Sequence, residues 1–134
     1  MNGVDIGAGL MRLVLLCKKA DKEIAATAGI SSDQMHCLFV LHSESPACIK
    51  GLSGLLGWSP TRTSKILRAL EEGGYVRRRM DEIDRRKEQV ALTEKGIQTA
   101  ASILSVSGRV GESLSGRISE LVYSSIPGPS RPQP

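Results

Sequence analysis

A chain of 134 residues with 40% hydrophobic and only 3% aromatic residues fits one globular domain with a core of Leu, Ile, Val and Ala. That favours packed helices over a β-sandwich and excludes a wholly disordered chain. The net charge of +4 weakly favours an anionic partner, and its placement says more: Arg62 to Lys87 holds nine basic and five acidic residues, an excess equal to that of the whole chain.

The first predicted element is a helix from Val4 to Thr27. Leu10, Leu13 or Val14, Cys17, Ala20 and Ile24 recur on it at three- and four-residue steps, and Ala28-Gly29 ends it. The run Leu13 to Cys17 is too short to span a bilayer, and Leu16 is the wrong residue before a lipoprotein cysteine, so the expectation is a cytoplasmic protein without a membrane partner. Cysteines 17, 37 and 48 are odd in number and form no CxxC pair, which predicts reduced thiols. A second helix opens at Ser31, with Gln34 completing a capping box and Met35, Leu38, Phe39 and Leu41 toward the core. Pro46 breaks the chain. A short third helix, ACIKGLSGLLG, follows with Ile49, Leu52 and Leu56 inward, and Gly51 and Gly54 each weaken it by roughly 1 kcal/mol.

Gly57-Trp58 predicts a turn. Ser59 caps a fourth helix with Pro60 at its first position, Ile66, Leu67 and Leu70 inward, and Gly73-Gly74 as its stop. Two short strands, about 75–79 and 87–92, flank a charged loop, with Val76, Val90 and Leu92 inward. The last helix starts at Thr93-Glu94 and runs to about Ser125, with Ile97, Ala100, Leu104, Leu114, Ile118 and Leu121 on a heptad grid. The ending PGPSRPQP is too rich in proline for regular structure.

Helix, short helix, tight turn, capped helix and ribbon make a winged helix-turn-helix, mainly α with a small β-ribbon wing. Such a helix fits the major groove of double-stranded DNA and brings its first turn to base edges. Ser59 opens that turn. Arg62 can fork onto guanine O6 and N7, and Thr61 and Thr63 can bond a base or touch a thymine methyl. Ser64, Lys65 and Arg68 suit phosphates. The plain alternative is the wet face of an amphipathic helix. At the wing, Arg85 and Arg86, with Lys87 beside them, suit a narrow minor groove. Asp81 and Asp84 can brace an arginine there by directional carboxylate–guanidinium bonds. Exposed charges that neutralise one another are the alternative.

The stretch LLGWSPTRTSKILRALEEGGYVRRRMDEIDRRKEQVALTEKG resembles the winged helix of MarR-family transcription regulators. The matching positions are Ser59, Thr61, Ser64 and Lys65 on the helix; Leu70, Glu71, Gly74, Tyr75 and Val76 at its exit; Asp81, Asp84, Arg85 and Arg86 in the wing; and Val90, Leu92, Thr93 and Gly96 after it. The resemblance implies a homodimer held by its terminal helices, reading a palindromic operator, usually as a repressor, and released by a small molecule or by oxidation of a cysteine. It divides the chain into a dimerisation helix (1–29), the DNA-binding region (30–96), a second dimerisation helix (97–126) and a tail (127–134). Cys48 stands where the family usually has a Ser or Thr cap.

Cys17 is the candidate redox sensor, although its place on the apolar stripe favours a small hydrophobe. His36, Cys37, His42 and Cys48 lack metal-site spacing, and no catalytic triad, carboxylate pair or phosphate loop is present, so no metal, cofactor or enzymatic activity is expected. The alternatives to a DNA-binding regulator are a winged helix that binds an acidic protein partner and a thiol-redox switch.

Overall fold

The computed structural model describes residues 2–80, 82–84 and 87–123, the last three by backbone alone. The elements are α1 (Gly3–Thr27), α2 (Ser32–Glu44), β1 (Ala47–Cys48), α3 (Ile49–Leu56), α4 (Pro60–Glu72), β2 (Val76–Met80), β3 (Glu88–Leu92) and α5 (Glu94–Tyr123). They divide between two compact units, one of residues 25–105 and one of the described parts of 1–24 and 106–134.

Residues 25–105 form the winged helix. Its helices start where local chemistry satisfies their first amides. Ser31 Oγ accepts the Gln34 N–H at 3.1 Å while Gln34 Oε1 accepts the Ser31 N–H at 2.9 Å, closing the capping box of α2. Cys48 caps α3 with sulfur: its Sγ accepts the Gly51 N–H at 3.3 Å, in the place of the usual hydroxyl. Ser59 Oγ accepts the Arg62 N–H at 3.1 Å, and Pro60 takes the first turn of α4. Gly57 ends α3 at φ 70°, left-handed backbone that a side chain would strain.

The core of this unit joins Met35, Cys37, Leu38 and Leu41 of α2 to Leu52 of α3 and to Leu67 and Leu70 of α4. Val76, Val90 and Leu92 add the sheet, and Ala100 and Ile103 add α5. The sheet is antiparallel in the order β1-β3-β2, so the wing has a third strand that the sequence did not announce. Ala47 pairs with Val90 and Cys48 with Gln89. Between β2 and β3 the pairs Val76–Leu92 and Arg78–Val90 share the inner face, while Arg77–Ala91 and Arg79–Gln89 share the outer one.

Several expectations about the core are corrected in this unit: Ile49 and Leu56 of α3, expected inward, are half-buried. Phe39 is 54% exposed, because Met35, Leu38 and Leu41 already fill the buried side of α2. Ile66 is half-buried beside the fully buried Leu67.

In the other unit, Leu16 and Ala20 of α1 and Val110 and Leu114 of α5 line a groove of about 300 Å³. Cys17 is exposed. Val4, Ile6, Leu10, Met11 and Leu15 of α1 are also exposed, so this helix shows apolar side chains around much of its circumference. No helix among the described residues is long and apolar enough to cross a membrane.

The Thr93-x-x-Gly96 motif closes the winged helix at the foot of the wing. Thr93 donates its amide to the Tyr75 carbonyl at 3.0 Å and its hydroxyl to the Gly74 carbonyl at 2.6 Å. The same hydroxyl accepts the Gly96 N–H at 3.1 Å, which caps α5. Lys95 Nζ donates to the Gly73 carbonyl at 2.7 Å and stands 4.4 Å from the centre of the Tyr75 ring. Gly96 is pressed so closely on the Tyr75 carbonyl that an added Cβ would collide with backbone oxygen, with Leu92 Cδ2 only 3.1 Å away on another side. The Tyr75 carbonyl accepts the Thr93 N–H and cannot yield without moving the start of α5. Gly96→Ala is therefore expected to destabilise the protein by about 1–3 kcal/mol, read as a lower urea midpoint with an unchanged slope.

Candidate nucleic-acid interface

The first turns of α4 sort their polar residues by direction. Thr61, Lys65 and Arg68, spaced by four and three residues, form one exposed stripe, and Arg62 lies exposed beside it. Ser64 is half-buried and Ser59 is spent on the cap. Thr63 points the other way. It is fully buried, accepts the Ser53 hydroxyl at 2.8 Å and donates to the Ser59 carbonyl at 3.0 Å. The expectation that Thr63 meets a base is therefore corrected. Its hydroxyl ties α3 to the cap of α4, holding the turn between the two helices.

Arg62 is already engaged. Its Nη2 donates to both carboxylate oxygens of Asp33, at 2.9 and 2.8 Å, and its guanidinium carbon lies 4.6 Å from the centre of the Trp58 ring. Asp33 is in the first turn of α2, so this pair joins the N-terminal ends of two helices. Sequence reading placed Arg62 correctly on the surface but missed Asp33, whose partner lies 29 positions away.

Arg78 was also missed. Its neighbours Arg77 and Arg79 are exposed, but the pleat turns Arg78 inward, and its side chain is only 16% exposed. Nη2 donates to the Ser64 carbonyl of α4 at 2.9 Å, and Nη1 lies 3.6 Å from Glu88 of β3. Nε lies 3.9 Å from Glu71, with no hydrogen-bond partner of its own. This one side chain therefore fastens the wing to the helix beside it. The signal was the period of two that also turned Val76 inward, and it was hidden by the run of three arginines.

The wing tip is described in part. Glu82 is exposed and Ile83 is 98% exposed, while Asp84 is half-buried and its carbonyl accepts the Lys87 N–H at 2.9 Å. Lys87 is exposed. Asp81, Arg85 and Arg86, expected to act here, lie outside the described residues.

Cys37 is buried, and loss of hydration pushes its thiol up to about 12, so it stays neutral and is a poor nucleophile. Among the described residues no group of three or more His, Cys, Asp or Glu side chains could hold a metal ion.

Residues 30–87 match the MarR family. Among solved structures, the fold is similar to a mutant of MepR from Staphylococcus aureus, at 22% identity over 81% of each chain and a TM-score of 0.72. It is also similar to MepR in a MepR–DNA complex, at 22% identity over 81% of this chain and 80% of that one, with a TM-score of 0.71. A MarR transcriptional regulator from Methanosarcina mazei Go1 is 27% identical over 94% of this chain and 85% of its own, with a TM-score of 0.67. No curated protein matches by sequence.

The buried hydroxyl chain gives this site its own test. Thr63→Val keeps the volume but leaves the Ser59 carbonyl without that donor and the Ser53 hydroxyl without its acceptor. Chemical denaturation is expected to show a loss of about 1–3 kcal/mol.

Proposed function

We propose that the chain is a winged-helix regulator of the MarR family, which binds double-stranded DNA in a sequence-specific manner to control transcription. It acts as a homodimer on a palindromic operator, as a repressor that a small molecule or an oxidant releases. The observation that carries the reading is the exposed stripe of Thr61, Lys65 and Arg68 on a capped helix whose neighbouring wing is pinned to it by Arg78. A helix with three outward side chains in register, at an amide-rich N-terminus, meets the needs of major-groove binding. MepR has this fold in a complex with DNA, which supports the same use here.

In this reading Thr61 and Arg62 face base edges, while Ser64, Lys65 and Arg68 face phosphates. Arg85 and Arg86 serve the minor groove, with Lys87 on the flanking backbone and Asp81 and Asp84 as braces. The dimer follows from α1. A helix with apolar residues on most sides is stable when covered, and a second copy supplies the cover. The exposed Cys17 is the thiol open to an oxidant.

Selecting bound duplexes from a random pool tests the function directly: enrichment of a palindrome supports it, and no enrichment removes it. With the selected duplex in hand, Lys65→Ala is expected to weaken binding to all sequences about equally. It should also lower the salt slope by roughly 0.9 per subunit, about 2 per dimer. Leu10→Glu is expected to convert the dimer to monomer by light scattering without unfolding the winged helix, since Leu10 is exposed in the single chain.

A further inference from the structure

The outer face of the wing carries a groove of about 530 Å³. The described residues that line it all belong to the winged-helix unit. Ala91 and Leu92 of β3 and Pro46 before β1 give it apolar surface, and Met80 and Ile83 continue that surface toward the wing tip. Met80 is 61% exposed, so this apolar surface is open to a ligand. Arg77 and Arg79 line the same groove, two residues apart on one face, which spaces their Cα atoms by about 7 Å. Ala91 is the cross-strand partner of Arg77, and its small side chain leaves the floor open. Both arginines are exposed, and neither side chain forms a hydrogen bond or ion pair with another described residue. Arg78 between them draws Glu71 and Glu88 to the other face.

We propose that this groove binds an organic monoanion with an apolar body. Three ligand chemistries can be compared. A phosphodiester meets the arginines but leaves the apolar floor wet. A neutral hydrocarbon covers the floor, but it takes water from two guanidinium groups and gives them no acceptor. An anionic group joined to an apolar body meets both demands, with the charge at Arg77 and Arg79 and the body over Ala91, Leu92 and Pro46. The volume lies within the range of small-molecule sites, about 300–1,000 Å³. Glu82 lines the tip end and repels a second anionic group there, which favours one charge over two. No described residue that lines the groove takes part in the DNA contacts proposed above, so the site stands apart from that reading.

The test uses the full-length protein and two probes of similar shape, anilinonaphthalene sulfonate and the uncharged phenylnaphthylamine. Methyl NMR of Met80, Ile83 and Ala91 locates each probe. Dye emission alone does not, because α1 also exposes apolar side chains. The anion is expected to shift all three sets of methyl signals and to bind more weakly as salt rises. Arg77→Gln combined with Arg79→Gln should weaken it by up to about 25-fold, fivefold for each exposed pair. The neutral probe should bind the wild type and this double variant alike, about as weakly as the anion binds the double variant. Ala91→Leu should block both probes while keeping both charges. An unchanged urea midpoint confirms that each variant folds. Anion binding that survives Ala91→Leu, or an affinity indifferent to both arginines, would overturn the proposal. So would methyl shifts confined to α1 and α5. A duplex or an acidic peptide that moves the Met80, Ile83 and Ala91 signals where the anion does not would assign the face to that partner instead. Failure of the duplex selection leaves this site standing, and failure here leaves the DNA-binding reading standing.

Discussion

Arg78 leaves β2 on the side opposite its two arginine neighbours, and its Nη2 reaches the Ser64 carbonyl in the middle of α4. A carbonyl inside a helix has a second lone pair to give, and here it goes to a charged donor from another element. The guanidinium loses most of its water in this position. Glu71 and Glu88 offset that loss from two directions, although neither is in close hydrogen-bond contact. Helix and wing are thereby fixed in relative position before any ligand arrives. In the DNA-binding function proposed above this matters, because helix and ribbon would meet one duplex at the same moment. A free wing would lose that much more entropy on binding.

The two ends of α4 are secured by different chemistry. At the start, the Ser59 cap, the Ser53–Thr63 hydroxyl pair and the left-handed Gly57 make a turn without slack. At the end, Gly73 and Gly74 turn the chain out, and Thr93, Lys95 and Gly96 close over their carbonyls. The Gly74-Tyr75-Val76 and Thr93-x-x-Gly96 stretches are thus two halves of one contact. The first exposes the carbonyls and the second covers them.

Features settled by neighbours three or four residues apart were legible in the sequence. The Ser31–Gln34 box, the Ser59-Pro60 start and the Gly73-Gly74 stop all form as their residues predict. Features that need a distant partner were not. Asp33 looked like an ordinary first-turn acid of α2, and β1 is two residues long, too short to show alternation. Arg78 was lost in a run of like charges. Thr63 is a different case, because Thr63, Leu67 and Leu70 follow one another by four and three residues, the same stripe that buried the leucines. Its inward direction was available from the spacing, and the polar residues on both sides obscured it. Phe39 shows the reverse, a large apolar side chain that the packing of α2 leaves outside.

Trp58 is the only tryptophan in the chain, and it sits against the guanidinium of the arginine at the mouth of α4. An indole's emission responds to the electric field across its ring, and a cation 4.6 Å from the ring centre is a large part of that field. When Arg62 moves, the field moves with it, and no second indole dilutes the signal. The protein therefore carries an intrinsic optical probe beside Arg62, and a change in that side chain's surroundings can be read in unlabelled material.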